Sequence, residues 1–448
     1  MINILIQMII AATVAAVLYT IIGATPGADE TATIAPITLI LVLTGVQPIV
    51  ILTFFMSAIV ASKLIDAVPI SVAGIPAGVM STPMVEHAQL LKREGLTDVS
   101  IRKIASGAII GNLVSIPVSL LLANSLVPFA SIIKEYGDVV FFIGAILLAL
   151  MSRHRWISLV AILPFALLIQ GLRYLYWEIG AVERGTNVFT SFFLAITIGP
   201  AILSLFELLN KDKRNEMKTH HKKIISLKKE ISTRGLPNPF KILTKTEIGY
   251  SAAASLIGSF VFMLSPVGLT IFFGELFAGR IKDPIKKASL AVTCMEALAQ
   301  ATYIAGTLIP LIALGIPLSP VAIGPANPLF LAEPVFNLEH NLHHVLTMND
   351  FVWATIIGVG IASVFTYFIA VKYSRKVCLF FIEKIPHEAI LGLFISLVLL
   401  LAYMDGGFIN IAGILLIGLV SGVLHRLGVN YGVLFMILYA APWLLRVL

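Results

Sequence analysis

No Lys or Arg occurs between Met1 and Ser62, and none occurs again between Ala288 and Val371. Soluble domains carry charge on about one residue in four, so runs of this kind have no counterpart in a chain that faces water. A spanning helix needs about 20 apolar residues, and each run therefore holds several spans. Only 12% of the chain is charged, against 58% hydrophobic, and the formal charge is +7. That positive excess sits in short segments between apolar runs, where it anchors a chain to a lipid bilayer and gives no basis for a nucleic-acid partner. Cys294 and Cys378 lie far apart with no metal-ligand spacing, so neither a disulfide framework nor a metal centre is expected. The N-terminal stretch lacks a basic n-region and reads as a retained first span.

Breaks at charges and at Pro/Gly clusters divide the apolar sequence into candidate spans. They fall near 2–23, 32–47, 49–63, 104–124, 139–152, 156–177 and 188–209, then 246–264, 267–279, 288–308, 351–371, 386–404, 408–424 and 431–447. The fold class expected is an all-α polytopic membrane protein with about 12–14 spans. Residues 211–245, dense in Lys and Arg, read as a cytoplasmic linker between a first membrane repeat, 1–210, and a second, 246–448.

The two halves echo one another. Thr25-Pro26-Gly27 is followed by Pro69 and then Gly74-Ile75-Pro76; Ser265-Pro266-Val267-Gly268 is followed by Pro310 and then Gly315-Ile316-Pro317. Both copies share P-x-x-x-x-G-I-P at a similar distance from the first break, and each leads to a hydroxyl-Pro pair, Thr82-Pro83 or Ser319-Pro320. Matched spacing points to an internal duplication. Cytoplasmic loops are enriched in Lys and Arg. The loop after the first GIP carries Lys92, Arg93, Arg102 and Lys103, whereas the loop after the second holds Glu333, Glu339 and Asp350 with no Lys or Arg. Equivalent loops thus face opposite sides, the pattern of inverted-topology repeats in secondary transporters, with both termini outside.

Irregular backbone inside a bilayer is tolerated only where protein buries it or water reaches it, so the four breaks predict a protein-lined cavity. Half-helix N-termini favour anions, and Thr82-Pro83 and Ser319-Pro320 have the composition of helix starts. The candidate solute contacts are Pro26, Gly27, Thr31, Gly74, Ile75, Pro76, Ser81, Thr82, Gly315, Ile316, Pro317 and Ser319. Ionisable groups in apolar runs need a reason. Asp29 and Glu30 fit either helix-capping carboxylates or a cation-coupling role, and Lys63 with Asp66 fits a structural ion pair. Glu296 and Gln300, four apart on one helix face, are candidate ion-coupling groups. His340, His343 and His344 have a spacing a metal could use, though a solvated loop explains them as well. H-E-x-x-H, G-x-S-x-G and Walker A motifs are all lacking, so an enzyme is not expected.

The segments GATPGADETATIAP, AGIPAGVMSTPMVEHAQLLKREG and EALAQATYIAGTLIPLIALGIPLSP, with GPANPLF after them, resemble in content and order the motifs of the large membrane subunit of tripartite tricarboxylate transporters. Ala28, Glu86-His87, Ala299, Gln300 and Leu318 stand where that family's pattern has other residues. The resemblance implies a permease for small organic anions, tricarboxylates or dicarboxylates, driven by a Na+ or H+ gradient and using no other cofactor. It also implies partners: a small four-span membrane subunit and a periplasmic solute-binding protein. The other reading on the same fold is a stand-alone symporter or exporter of another small solute.

Overall fold

The computed structural model describes residues 2–25, 30–73, 79–129, 137–152, 154–184, 188–199, 202–203, 206, 237–262, 266–319, 321–384, 387–429 and 431–447. Among them the chain is all-α apart from two isolated β-bridges within residues 332–340. Seven helices are long and apolar enough to cross a membrane, and four shorter apolar helices accompany them. The protein is therefore a multi-pass membrane protein.

In chain order the helices are α1 Ile2–Gly23, α2 Glu30–Leu43, α3 Pro48–Ile65, α4 Ala67–Ala73, α5 Val85–Arg93, α6 Thr97–Leu126, α7 Gly137–Met151, α8 Arg155–Glu178 and α9 Phe189–Thr197. After residues 207–236, which lie outside the described residues, come α10 Pro239–Ile242, α11 Lys245–Phe260, α12 Pro266–Ala278, α13 Pro284–Ile309, α14 Asn327–Phe330, α15 Leu342–Val345, α16 Met348–Lys384, α17 His387–Arg426 and α18 Tyr431–Val447. The spans expected at 386–404 and 408–424 are the two arms of α17, kinked at Gly406 and Gly407, where Gly407 takes φ 66°. The basic linker lies outside the described residues for most of its length.

Two compact units divide the chain: residues 1–130 with 225–387, and residues 131–224 with 388–448. Each draws on both of the expected sequence halves. In the first unit α13 is the central helix, with every residue from Ala288 to Ile309 buried. It lies along α6, and α11 and α12 flank it. Gly107 and Gly111, four apart on α6, explain the fit. A Cβ on Gly111 would come within 2.7 Å of the Ala297 carbonyl, and one on Gly107 would collide with the carbonyl of Thr293. Small residues at i and i+4 let two membrane helices meet backbone to backbone. A second layer packs α3 between α1 and α16, joined by Ser57 Oγ donating to the Ala12 carbonyl at 2.6 Å. Lipid supplies no hydrophobic drive between helices, so such bonds contribute to association. Ser106 with Tyr367 at 2.9 Å and Asn112 with Ser363 at 2.9 Å fasten α6 to α16 in the same way.

The second unit packs α18 against α7, α8 and α9. Aromatic contacts fill it, with Phe141 and Tyr439 stacked at 4.4 Å between ring centroids.

Candidate functional site

The first unit buries an ionic cluster built around Lys63, on the last turn of α3. Its Nζ lies 2.9 Å from Glu30 Oε1, 3.0 Å from Ser81 Oγ and 3.7 Å from Asp66 Oδ2. The Tyr303 ring of α13 is 5.5 Å away. Ser81 in turn donates to Asp66. Lys63 is wholly inaccessible to solvent and Glu30 is 3% exposed. Isolated charges at such depth are prohibitive, so pairing is obligatory.

The partners come from the edges of the irregular segments. Glu30 opens α2 directly after residues 26–29, Asp66 sits at the joint between α3 and α4, and Ser81 follows residues 74–78 within a 3-10 helix, Val79–Met84. One lysine thus ties together the flanks of both first-half breaks. The expected Lys63–Asp66 contact is present, but at 3.7 Å it is the longer of the lysine's two carboxylate contacts, and Glu30 is the closer partner. Glu30 is consequently an ion-pair member here. It is not simply a helix-capping acid.

Glu296 reaches the same region from α13 and shares the electrostatic field of Lys63, Asp66 and Glu30. Neither of its carboxylate oxygens finds a hydrogen-bond partner among the described residues, nor does either end of the Gln300 amide one turn further on. Both side chains have no solvent exposure. Gln300 Cβ would stand 3.0 Å from a Cβ placed on Gly111, so the close α6–α13 contact fixes where this face of α13 points. Buried polar groups are nearly always satisfied, and an exception calls for an explanation such as a bound ion, a water or a proton-transfer role.

The second GIP segment is elsewhere. After Ile309 the helix widens into a π-turn, Pro310–Leu314, and stops at Gly315, whose φ of 68° suits glycine. At about 1.5 Å per residue, Gly315 lies roughly 18 Å along the axis beyond Tyr303. Its carbonyl accepts Asn341 Nδ2 at 2.9 Å, and His343 Nδ1 lies 2.9 Å from the Ile312 carbonyl and 3.2 Å from that of Leu311. Two side chains from the 321–347 segment thereby satisfy carbonyls that a helix end leaves open. His344 Nδ1 accepts the Asn341 backbone N–H at 3.3 Å. His343 and His344 therefore serve the backbone, and no group of three or more potential metal ligands occurs among the described residues.

A family model described as the tripartite tricarboxylate transporter TctA family matches residues 9–436, nearly the whole chain. The chain belongs to the TctA family. In the comparisons with curated proteins and with solved structures, nothing matches. TctA proteins are the large membrane subunits of tripartite tricarboxylate transporters, which places this chain in a transporter family that works with organic anions and partner subunits.

Seen as a TctA protein, the chain meets the expected site residues unevenly. Glu30, Ser81, Glu296 and Gln300 belong to one buried region. Pro26, Gly27, Asp29, Gly74, Ile75 and Pro76 lie outside the described residues, as do the side chains of Thr31 and Thr82. Neither hydroxyl-Pro pair opens an α-helix. Thr82 and Pro83 sit inside the 3-10 helix, with Met84 as the N-cap of α5; Pro320 lies outside the described residues, and residues 321–326 beyond it form turns before the four-residue α14. The physical reason is visible at Ser319, whose hydroxyl donates to the Phe262 carbonyl at 3.2 Å instead of capping a helix. Gly315, Ile316 and Pro317 are buried at the far end of the π-turn and do not join the Lys63 cluster.

The sequence marks Lys63 only as a structural partner of Asp66, yet it is the centre of the buried cluster. The other unit holds a second polar group, one not among the expected site residues. Ser191 donates to Asp405, and Asn410 Nδ2 lies 2.9 Å from both Ser191 Oγ and the Ala402 carbonyl, beside the Gly406-Gly407 kink. The sequence signal was Asp405-Gly406-Gly407, an acid and two glycines inside an apolar run.

Proposed function

We propose that this chain is the solute-translocating subunit of an ion-gradient-driven importer of small organic anions of the tricarboxylate or dicarboxylate type. In this reading it works with a small four-span membrane subunit and a periplasmic solute-binding protein. The observation that carries it is the buried cluster at the edges of the first-half breaks. A cation on Lys63 is held there by carboxylates, while Glu296 and Gln300 face the region with unused hydrogen-bonding capacity. An anion carrier needs both features, a positive group to meet a carboxylate and a titratable or cation-binding group to link its passage to a gradient.

The solute's place is beside Lys63, where the segments containing Pro26-Gly27 and Gly74-Ile75-Pro76 begin and end. The internal duplication supplies the alternating motion, with the 211–245 linker on the cytoplasmic side. The test is uptake of radiolabelled citrate and succinate into proteoliposomes, with and without the partner subunits, under imposed Na+ or H+ gradients. Gradient-dependent accumulation of either acid is the expected result. Binding and uptake of neither, with partners present, would overturn the proposal.

A further inference from the structure

The described charges that act on Glu296 do not balance. Against the single ammonium of Lys63 stand Glu30, Asp66 and Glu296, so full ionisation would leave a formal charge of −2 in a region sealed from solvent. Burying an unpaired carboxylate in low dielectric is costly enough that such a group changes its protonation state instead. Glu30 and Asp66 both contact Lys63, and Asp66 also accepts from Ser81. Glu296 has no donor on either oxygen among the described residues, which makes it the member that gives up its charge.

Among the described residues, no charged group on the other elements packed against α13 joins Lys63, Asp66 and Glu30 in acting on Glu296. On α6, Lys103 is committed to Glu247. On α11, Glu247 also accepts Ser289 Oγ at 2.7 Å, about two turns from Glu296. On α12, Glu275 is held by Lys287 at 3.0 Å and by His87 of α5 at 2.7 Å. Those pairs lie toward the other end of α13, near its start.

The described surroundings also bear on which cation the site takes. A sodium ion requires several hard oxygen ligands at once. Within one turn of Glu296, Ala297 and Ala299 offer no side-chain oxygen, and Thr293 is turned back to donate to the Ser289 carbonyl at 2.7 Å. On α13 that leaves the Gln300 amide beside the Glu296 carboxyl, while the other side-chain oxygens of the region, on Glu30, Asp66 and Ser81, are already engaged with Lys63 or with one another. A carboxyl with one neutral amide beside it suits a proton, which needs a single oxygen, better than a metal cation that needs several.

We infer that the coupling ion is the proton, carried on the Glu296 carboxyl with Gln300 as its neighbouring hydrogen-bonding group, and that Lys63 is the fixed counter-charge of the site. The inference rests on the transport reading for its physiological meaning but not for its test. Infrared spectroscopy of the purified full chain in lipid nanodiscs looks for the carbonyl stretch of a protonated carboxylic acid, shifted by deuterium exchange. The band should be present at neutral pH, vanish on raising pH, be the same in sodium and choline chloride, and be lost in Glu296→Gln. Glu296→Asp, which keeps the carboxyl, should retain it. A band unchanged in Glu296→Gln, or one displaced by sodium at constant pH, overturns the inference.

In proteoliposomes with citrate or succinate as probe, Glu296→Gln should lose gradient-driven accumulation at least tenfold while equilibrium counterflow persists. Loss of both equally assigns Glu296 to solute binding or to structure and also overturns the inference. Failure of the wild type to take up either acid counts against the proposed function, whereas the infrared result stands or falls separately.

Discussion

Replacing Lys63 by Met keeps most of the side-chain volume and removes the cation that Glu30 contacts among the described residues. The geometry sets the scale of the damage. Lys63 makes bonds of 2.9 Å to Glu30 and 3.0 Å to Ser81 and stands 3.7 Å from Asp66, with essentially no solvent at either end. Removing one partner of a buried ion pair costs about 3–5 kcal/mol, because the other charge is left uncompensated. Two carboxylates are stranded here, so the upper part of that range is expected. The measurement is reversible unfolding of the purified protein by titration with a denaturing detergent, compared with the wild type. A second variant separates charge from packing. Lys63→Met with Glu30→Gln should recover part of the loss, since the amide no longer needs a counter-ion, but not all of it, because Asp66 remains. If Lys63→Met costs no more than about 1 kcal/mol, the scale of a surface pair, the cluster does not hold the first-half breaks together and the reasoning fails.

The helix contact below Gln300 is open to the same kind of test. Gly111→Ile should lower stability by about 1–3 kcal/mol through overpacking, as its Cβ meets the Ala297 carbonyl at 2.7 Å, and a melting curve that matches wild type would contradict the α6–α13 fit. Asn341→Ala removes the 2.9 Å donor to the Gly315 carbonyl. That leaves a buried acceptor open, with an expected loss of about 1–3 kcal/mol and faster hydrogen exchange in residues 310–316, whereas unchanged exchange would show that the π-turn is held by other means. For orientation, a cysteine at the exposed position 339 should react with an impermeant thiol reagent in intact cells and one at position 223 should not; the reverse pattern refutes the inverted arrangement.

Much of this protein was legible along the chain because a bilayer imposes rules that act on short segments. Every backbone polar group must be satisfied within lipid, so apolar runs become helices. The starts expected at 2, 139, 156, 246, 267 and 431 fall within two residues of the observed helix starts. Gly315 as a helix stop follows from glycine's access to positive φ, and the break at Gly406-Gly407 follows from the same property. Tertiary structure decided what the ionisable residues do. Lys63 and Asp66 are three apart and announce themselves as a pair, but Glu30 lies 33 residues from Lys63, Ser81 lies 18 away, and Glu296 belongs to another half of the sequence. Hydroxyl-Pro pairs looked like helix starts because composition carries only a local preference, and Ser319 shows that preference losing to a carbonyl 57 residues away. A charge in a bilayer must find its partner wherever the fold brings one. Which residues become helix is a question each segment answers alone, and which charges remain unmatched is a question only the assembled protein answers.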